Sequence, residues 1–277
     1  MAYIEKICIA GDILEIFKYH SFRHPSPGNH GLRSAKVKLT SDRQKKINSR
    51  QAERTLRWKM NANFHDGDYL VRLDFGNEPD IDVSGMQGCI TKAIRKIRDQ
   101  LKHDNIQFKF IYVKEIGSRG SKHIHMMCSK IDTGYIAAAW DHGGIHVDPL
   151  TSGGQYRKVA EYFIKYSDRT EETLGQEIGK RWYSSRNLVP PIIKTRVIGA
   201  ATFSREAPDN DETKGYLLEK ETVTEGVNGD GYEYFSCSYI RGEPVRGDKE
   251  NRKRERNRDI RAGTAHRERI GDADEHP

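Results

Sequence analysis

Between Asp68 and Asp168 the apolar residues change their spacing from two to three-or-four and back, which divides this stretch into seven segments. Spacing of two marks a strand with one buried face; spacing of three and four marks a helix with one buried side. Asp68 to Phe75 (DYLVRLDF) reads as a strand, and Val83 to Lys102 as a helix with Ile90, Ala93, Ile94, Ile97 and Leu101 on one side. Gln107 to Ile116 and His123 to Lys130 read as two strands joined by the glycine-containing turn Gly117 to Gly120. A short helix at Thr133 to Trp140, a short strand at Ile145 to Leu150 and a helix at Gly154 to Asp168 complete the series. The order β-α-β-β-α-β-α implies an α+β fold: an antiparallel sheet with helices on one face.

The flanks read differently. Ile4 to Arg23 alternates as a hairpin turning at Gly11-Asp12, His24 to Gly31 as a loop, and Ser41 is placed to cap a basic helix running to Phe64. Beyond Pro190-Pro191, the segments Ile192 to Phe203, Gly215 to Thr224 and Tyr232 to Tyr239 read as a small β meander. From about Arg246 the chain is charged and nearly free of large apolar groups, the composition of a disordered tail. Four regions follow: 1–67, a hairpin and basic helix; 68–191, the main domain; 192–245, a small β-rich region; and 246–277, the charged tail.

Charge narrows the partners. The 277 residues carry 47 Lys and Arg against 40 Asp and Glu, and the excess is concentrated. Arg33 to Lys59 holds ten basic residues and two acids; Lys249 to Arg269 holds nine and four. A polyanion such as nucleic acid suits this distribution, as does a solvated basic face. Hydrophobic residues make up only 35% of the chain and no apolar run approaches the roughly 18 residues of a bilayer span, so no membrane role is expected. Cys8, Cys89, Cys128 and Cys237 stand singly, which argues against a zinc ribbon and fits a reducing, cytoplasmic setting.

Three elements can carry chemistry. In His123-Ile124-His125 the two imidazoles share one face of a strand, where they can grip a divalent cation or simply stand exposed. Glu115 lies at the end of the preceding strand, where the hairpin brings it beside them, and a His-His-carboxylate set leaves open positions for a phosphate oxygen. On the helix of Val159 to Tyr166 (VAEYFIKY), Tyr162, Lys165 and Tyr166 share one side. They suit either a core face or a tyrosine nucleophile assisted by a cation.

The combination resembles the HUH endonuclease superfamily, and most of all its phage- and plasmid-type rolling-circle replication initiators. Asp68 to Phe75 stands at the first motif, His123-Ile124-His125 at the second and Tyr162 with Lys165 at the third; Arg181-Trp182-Tyr183-Ser184-Ser185-Arg186-Asn187-Leu188 with Pro190 is similar to the tail of the phage-type members. The first motif lacks the usual threonine-rich character. The resemblance spans about Asp68 to Pro191 and implies a ferredoxin/RRM-like core. It further implies Mg²⁺ or Mn²⁺ on His123, His125 and Glu115, and attack by Tyr162, with Tyr166 as a second candidate. The product would be a 5′-phosphotyrosine and a free 3′-OH on single-stranded or origin-hairpin DNA, used by host helicase and polymerase. Arg57, Trp58, Lys59, Arg95, Lys122, Arg181 and Arg186 are the expected DNA contacts, with Trp182 and Tyr183 as stacking surfaces. A relaxase, a single-tyrosine transposase and a non-catalytic nucleic-acid binder on the same framework are the alternatives.

Overall fold

The computed structural model describes residues 2–21, 42–76, 81–175 and 180–242. The expected loop at His24 to Gly31 and the charged tail from Arg246 lie outside the described residues. Among the described residues, ten strands and four α-helices form two five-stranded antiparallel sheets with helical cover. They are β1 (Ala2–Ala10), β2 (Ile13–Ser21), α1 (Asp42–Asn61), β3 (Tyr69–Asp74), α2 (Val83–His103), β4 (Phe110–Ile116), β5 (Lys122–Cys128), α3 (Thr133–Ala139), β6 (Ile145–Pro149), α4 (Arg157–Leu174), β7 (Tyr183–Ser184), β8 (Ile192–Ile198), β9 (Tyr216–Val227) and β10 (Glu233–Arg241). No described helix is long and apolar enough to cross a membrane.

The main sheet has the order β6-β3-β5-β4-β7. Period-two alternation assigns its two faces. Val71 and Leu73 of β3, Phe110 and Tyr112 of β4, and Ile124, Met126 and Cys128 of β5 enter a core closed by Ile90, Ile94 and Ile97 of α2 and Ile136 of α3. The intervening residues Ile111, Val113 and Met127 enter a second core with Leu56 and Met60 of α1 and Ala160, Phe163 and Ile164 of α4. The α+β class and the antiparallel sheet are as expected, but helices cover both faces rather than one. The interior strand β4 reflects this: all seven of its residues are buried, which demands cover on either side.

The second sheet has the order β8-β1-β2-β10-β9, so the expected C-terminal meander is not a separate unit. Only β9 and β10 form a hairpin with each other; β10 adds to β2, and β8 adds to the far edge of β1. Each of these strands is too narrow to bury a face by itself, and pairing across the chain supplies the missing neighbours.

The β1–β2 hairpin turns at Gly11-Asp12, with Ala10 opposite Ile13. Gly11 has a φ of +61°, the positive value that a two-residue turn with glycine first requires. Its Cα also abuts the end of α1, where a Cβ would overlap the Asn61 carbonyl oxygen. Strain and collision act together, so Gly11→Ala is expected to destabilise the fold by more than about 1 kcal/mol. The check is a lower denaturant midpoint with an unchanged m-value.

Candidate active site

Backbone register places the chemistry on the α4 side of the main sheet. His123 lies between Asp74 of β3 and Glu115 of β4, and His125 lies between Arg72 and Val113. Ile124 and Met126 point into the opposite core, so packing on that side fixes the direction of both imidazoles. Their ring centroids are 6.1 Å apart.

Each histidine is held by a carboxylate. His123 Nδ1 lies 2.8 Å from Asp74 Oδ1, and His125 Nε2 lies 2.7 Å from Glu115 Oε2. A carboxylate accepts, so the facing nitrogen carries the hydrogen and the other nitrogen of a neutral ring keeps its lone pair. For His123 that leaves Nε2 as the donor to an electrophile, the arrangement in which an outer carboxylate orients a metal-binding imidazole.

Both carboxylates are themselves braced by cations. Arg169 Nη1 donates to Glu115 Oε1 at 2.7 Å, and Arg72 Nε donates to Asp74 Oδ1 at 3.0 Å. His146 on β6 brings its Nε2 within 3.3 Å of Asp74 Oδ2. Burial by itself would raise the Glu115 pKa, but the His125 hydrogen bond and charge and the Arg169 guanidinium outweigh it, so the carboxyl is held below its usual range. Asp74 follows the same pattern: burial raises it, and His123 and Arg72 prevail in lowering it.

Across from the sheet, α4 supplies two phenols in a stack. The Tyr166 ring lies on His125 with centroids 4.0 Å apart, and the Tyr162 ring continues the stack 6.3 Å beyond it. The i, i+4 spacing places both on one side of the helix while Phe163 and Ile164 anchor the other side in the core. Tyr166 is the inner ring, and its pKa is raised chiefly by burial and next by the Glu115 carboxylate. Tyr162 is 55% exposed, at the open end of the stack.

The structure therefore brings together His123, His125, Glu115, Tyr162 and Tyr166. Lys165 is exposed and lines the cleft between α1 and α4 with Ser49, Asp168 and Arg169. Asp74, Arg72, His146 and Arg169 were not singled out in the sequence. Asp74 and Arg72 had a signal in the alternation of DYLVRLDF beside the histidines, and Arg169 in its i+3 spacing from Tyr166.

The expected DNA contacts divide. Arg57 and Trp58 are corrected: they are 3% and 5% exposed and bind the buried Glu15, so neither can meet a phosphate. Arg181 is committed to Ser49 and Asp168. Lys59 lies over the Trp182 ring at 5.0 Å. Tyr183 stacks on Tyr112 at 5.1 Å, with one ring face thereby occupied. Arg95 and Arg186 are exposed, and Lys122 is half-buried at the start of β5.

As a metal site the donor chemistry fits. Among the described residues no three of His, Cys, Asp and Glu are already gathered as a cage. The 2.7 Å hydrogen bond between His125 and Glu115 nevertheless sets two ligand atoms face to face, and exchange of that proton for a cation is the ordinary course of metal binding.

Fold and site define a class: an α+β protein in which a His-x-His strand and its carboxylates face a tyrosine-bearing helix. A family model for replication-associated proteins, of the type described as ORF2, matches residues 75–171. That segment contains Glu115, His123, His125, Tyr162, Tyr166 and Arg169 and stops just short of Arg72 and Asp74, so the similarity to replication-associated proteins covers the histidines, Glu115 and the tyrosine helix. No curated protein and no solved structure gives a significant match.

Proposed function

We propose that this chain is a DNA replication initiator that nicks one strand and joins itself to the cut end through a tyrosine, as HUH endonucleases do. The observation that carries the reading is the stack from His125 through Tyr166 to Tyr162, which sets one phenol against the imidazole–carboxylate cluster and a second, exposed phenol at the open end of the stack. The similarity of residues 75–171 to replication-associated proteins supports it independently.

His123, His125 and Glu115 would hold Mg²⁺ or Mn²⁺. When bound, the ion supplies Lewis acidity toward a phosphate oxygen and offsets the charge of the five-coordinate transition state. Asp74 keeps the proton of His123 on Nδ1 and so presents Nε2. Arg169 holds Glu115 ionised and oriented. The Tyr162 oxygen attacks phosphorus in line and gives up its proton to solvent; the bond from phosphorus to the 3′ oxygen breaks, and that oxygen takes a proton to become the 3′-OH. A phosphotyrosine at the 5′ end conserves the ester for later rejoining, and the 3′-OH can prime synthesis by a host polymerase behind a host helicase.

His123→Ala removes a donor without touching the core under Ile124. Nicking of a single-stranded origin oligonucleotide should fall at least about 100-fold. Circular dichroism should be unchanged, and chelator should bring the wild type to the same level. A variant that cuts at the wild-type rate in chelator would remove the metal from the reading.

A further inference from the structure

A second basic site lies away from the tyrosine cluster. At the β7 edge of the main sheet, a groove of about 770 Å³ runs between the C-terminal turns of α2 and the segment after β7. Its floor includes Phe108 and Phe110, with ring centroids 5.5 Å apart, and its rim carries Arg98, Lys102 and Arg186. Phe110 belongs to the α2 face of the sheet and Glu115 to the α4 face, so the groove and the tyrosine site open on opposite sides. Along β4 they are five residues apart, about 17 Å at the rise of a strand.

The rim cations are outside ion pairs. Arg98, Lys102 and Arg186 are exposed, and none has a carboxylate within ion-pair distance among the described residues. Against these three positive charges the groove lining holds one acid, Asp99. The Arg98 guanidinium lies over the Phe110 ring at 5.2 Å, a cation–π contact that favours its position at the rim. The far wall is pinned to the floor: the Phe110 N–H donates to Ser185 Oγ at 3.2 Å and the Ser185 N–H donates to the Phe110 carbonyl at 2.9 Å. Unpaired cations beside an exposed guanidinium suit a single-stranded polynucleotide, with phosphates on the cations and a base against Arg98; the Phe108 and Phe110 rings beneath are buried and support the groove from below.

We infer that this groove binds a further stretch of the single-stranded DNA whose scissile phosphate reaches the tyrosine cluster. The ligand follows from the replication-initiator reading; the site follows from the three unpaired cations. Holding the strand at two places on opposite faces would fix its path around the β4–β7 edge and supply affinity without contact at the cut.

The test compares the full chain with Lys102→Ala/Arg186→Ala and with Lys214→Ala/Lys220→Ala, which removes equal charge from β9 and the turn before it. Fluorescence anisotropy on a single-stranded oligonucleotide is read from 50 to 200 mM salt, with adduct formation scored in parallel. The groove variant should bind about 10-fold more weakly and lose roughly 1.4 from the magnitude of its log–log salt slope, while the control pair changes neither. Wild-type affinity and slope in the groove variant, with adduct still formed, would overturn the groove and leave the nickase reading standing. Weakened binding by the groove variant alongside a wild type that forms no adduct would support the groove and overturn the nickase. No binding of DNA by the wild type would overturn both.

Discussion

Tyr162→Phe is expected to bind origin DNA with near wild-type affinity and to form no covalent adduct, a loss on the order of 10³-fold or more in cleavage. The substitution deletes one oxygen from an exposed ring and leaves its stacking on Tyr166 in place, so neither fold nor DNA path should change. Tyr166→Phe is the informative companion. Tyr166 is the inner ring, covered by His125 on one face, and burial together with Glu115 raises its pKa, which disfavours the phenolate needed for attack. Its stacking survives the change to phenylalanine, so cleavage should fall far less. A denaturing gel after incubation with a labelled oligonucleotide separates the cases. Undiminished adduct in Tyr162→Phe, with loss in Tyr166→Phe, would transfer the nucleophile to the inner ring and require the stack to open during the reaction.

Local periodicity carried most of this site into the sequence. Alternation put His123 and His125 on one face, the hairpin at Gly117 brought Glu115 to their side, and i, i+4 spacing joined Tyr162 to Tyr166; all of these depend on residues near one another in the chain. What lay hidden depends on partners far apart. Nothing local says that β10 will pair with β2, more than two hundred residues earlier, or that β8 will pair with β1. The second helical layer was hidden for a related reason. An alternating strand shows which residues share a face, but not whether the polar-looking face is also covered, and here α1 and α4 cover it around a polar opening. Arg57 and Trp58 show the cost of reading charge without burial: a basic helix with a tryptophan has the composition of a DNA-binding element, yet both side chains turn inward to an acid supplied by β2.

That acid is the basis of the largest expected stability effect. Glu15 is 1% exposed, and its Oε2 accepts from Arg57 Nη2 and from Trp58 Nε1, each at 2.8 Å. Arg57 also donates to Glu53 Oε1 at 3.0 Å. The contact joins the second sheet, through β2, to α1, and α1 in turn packs with α4 on the main sheet. Glu15→Ala would leave a buried guanidinium with only Glu53 and an indole N–H with no acceptor, a cost of about 3–5 kcal/mol. Glu53 offers limited relief, because burial already pushes its own pKa upward against the pull of Arg57. Replacing both partners, Glu15→Met with Arg57→Met, removes the charge and its counter-charge together and should cost less than Glu15→Ala, since two desolvation penalties vanish with the one attraction. Urea unfolding of Glu15→Met, Arg57→Met and the double variant closes the cycle. The double variant falling by the sum of the singles would mean that Glu15 and Arg57 do not couple, and that apolar packing alone holds the second sheet to α1. A split transition in Glu15→Ala, with a shallower slope for the first step, would mark this buried pair as the joint through which the two sheets unfold together.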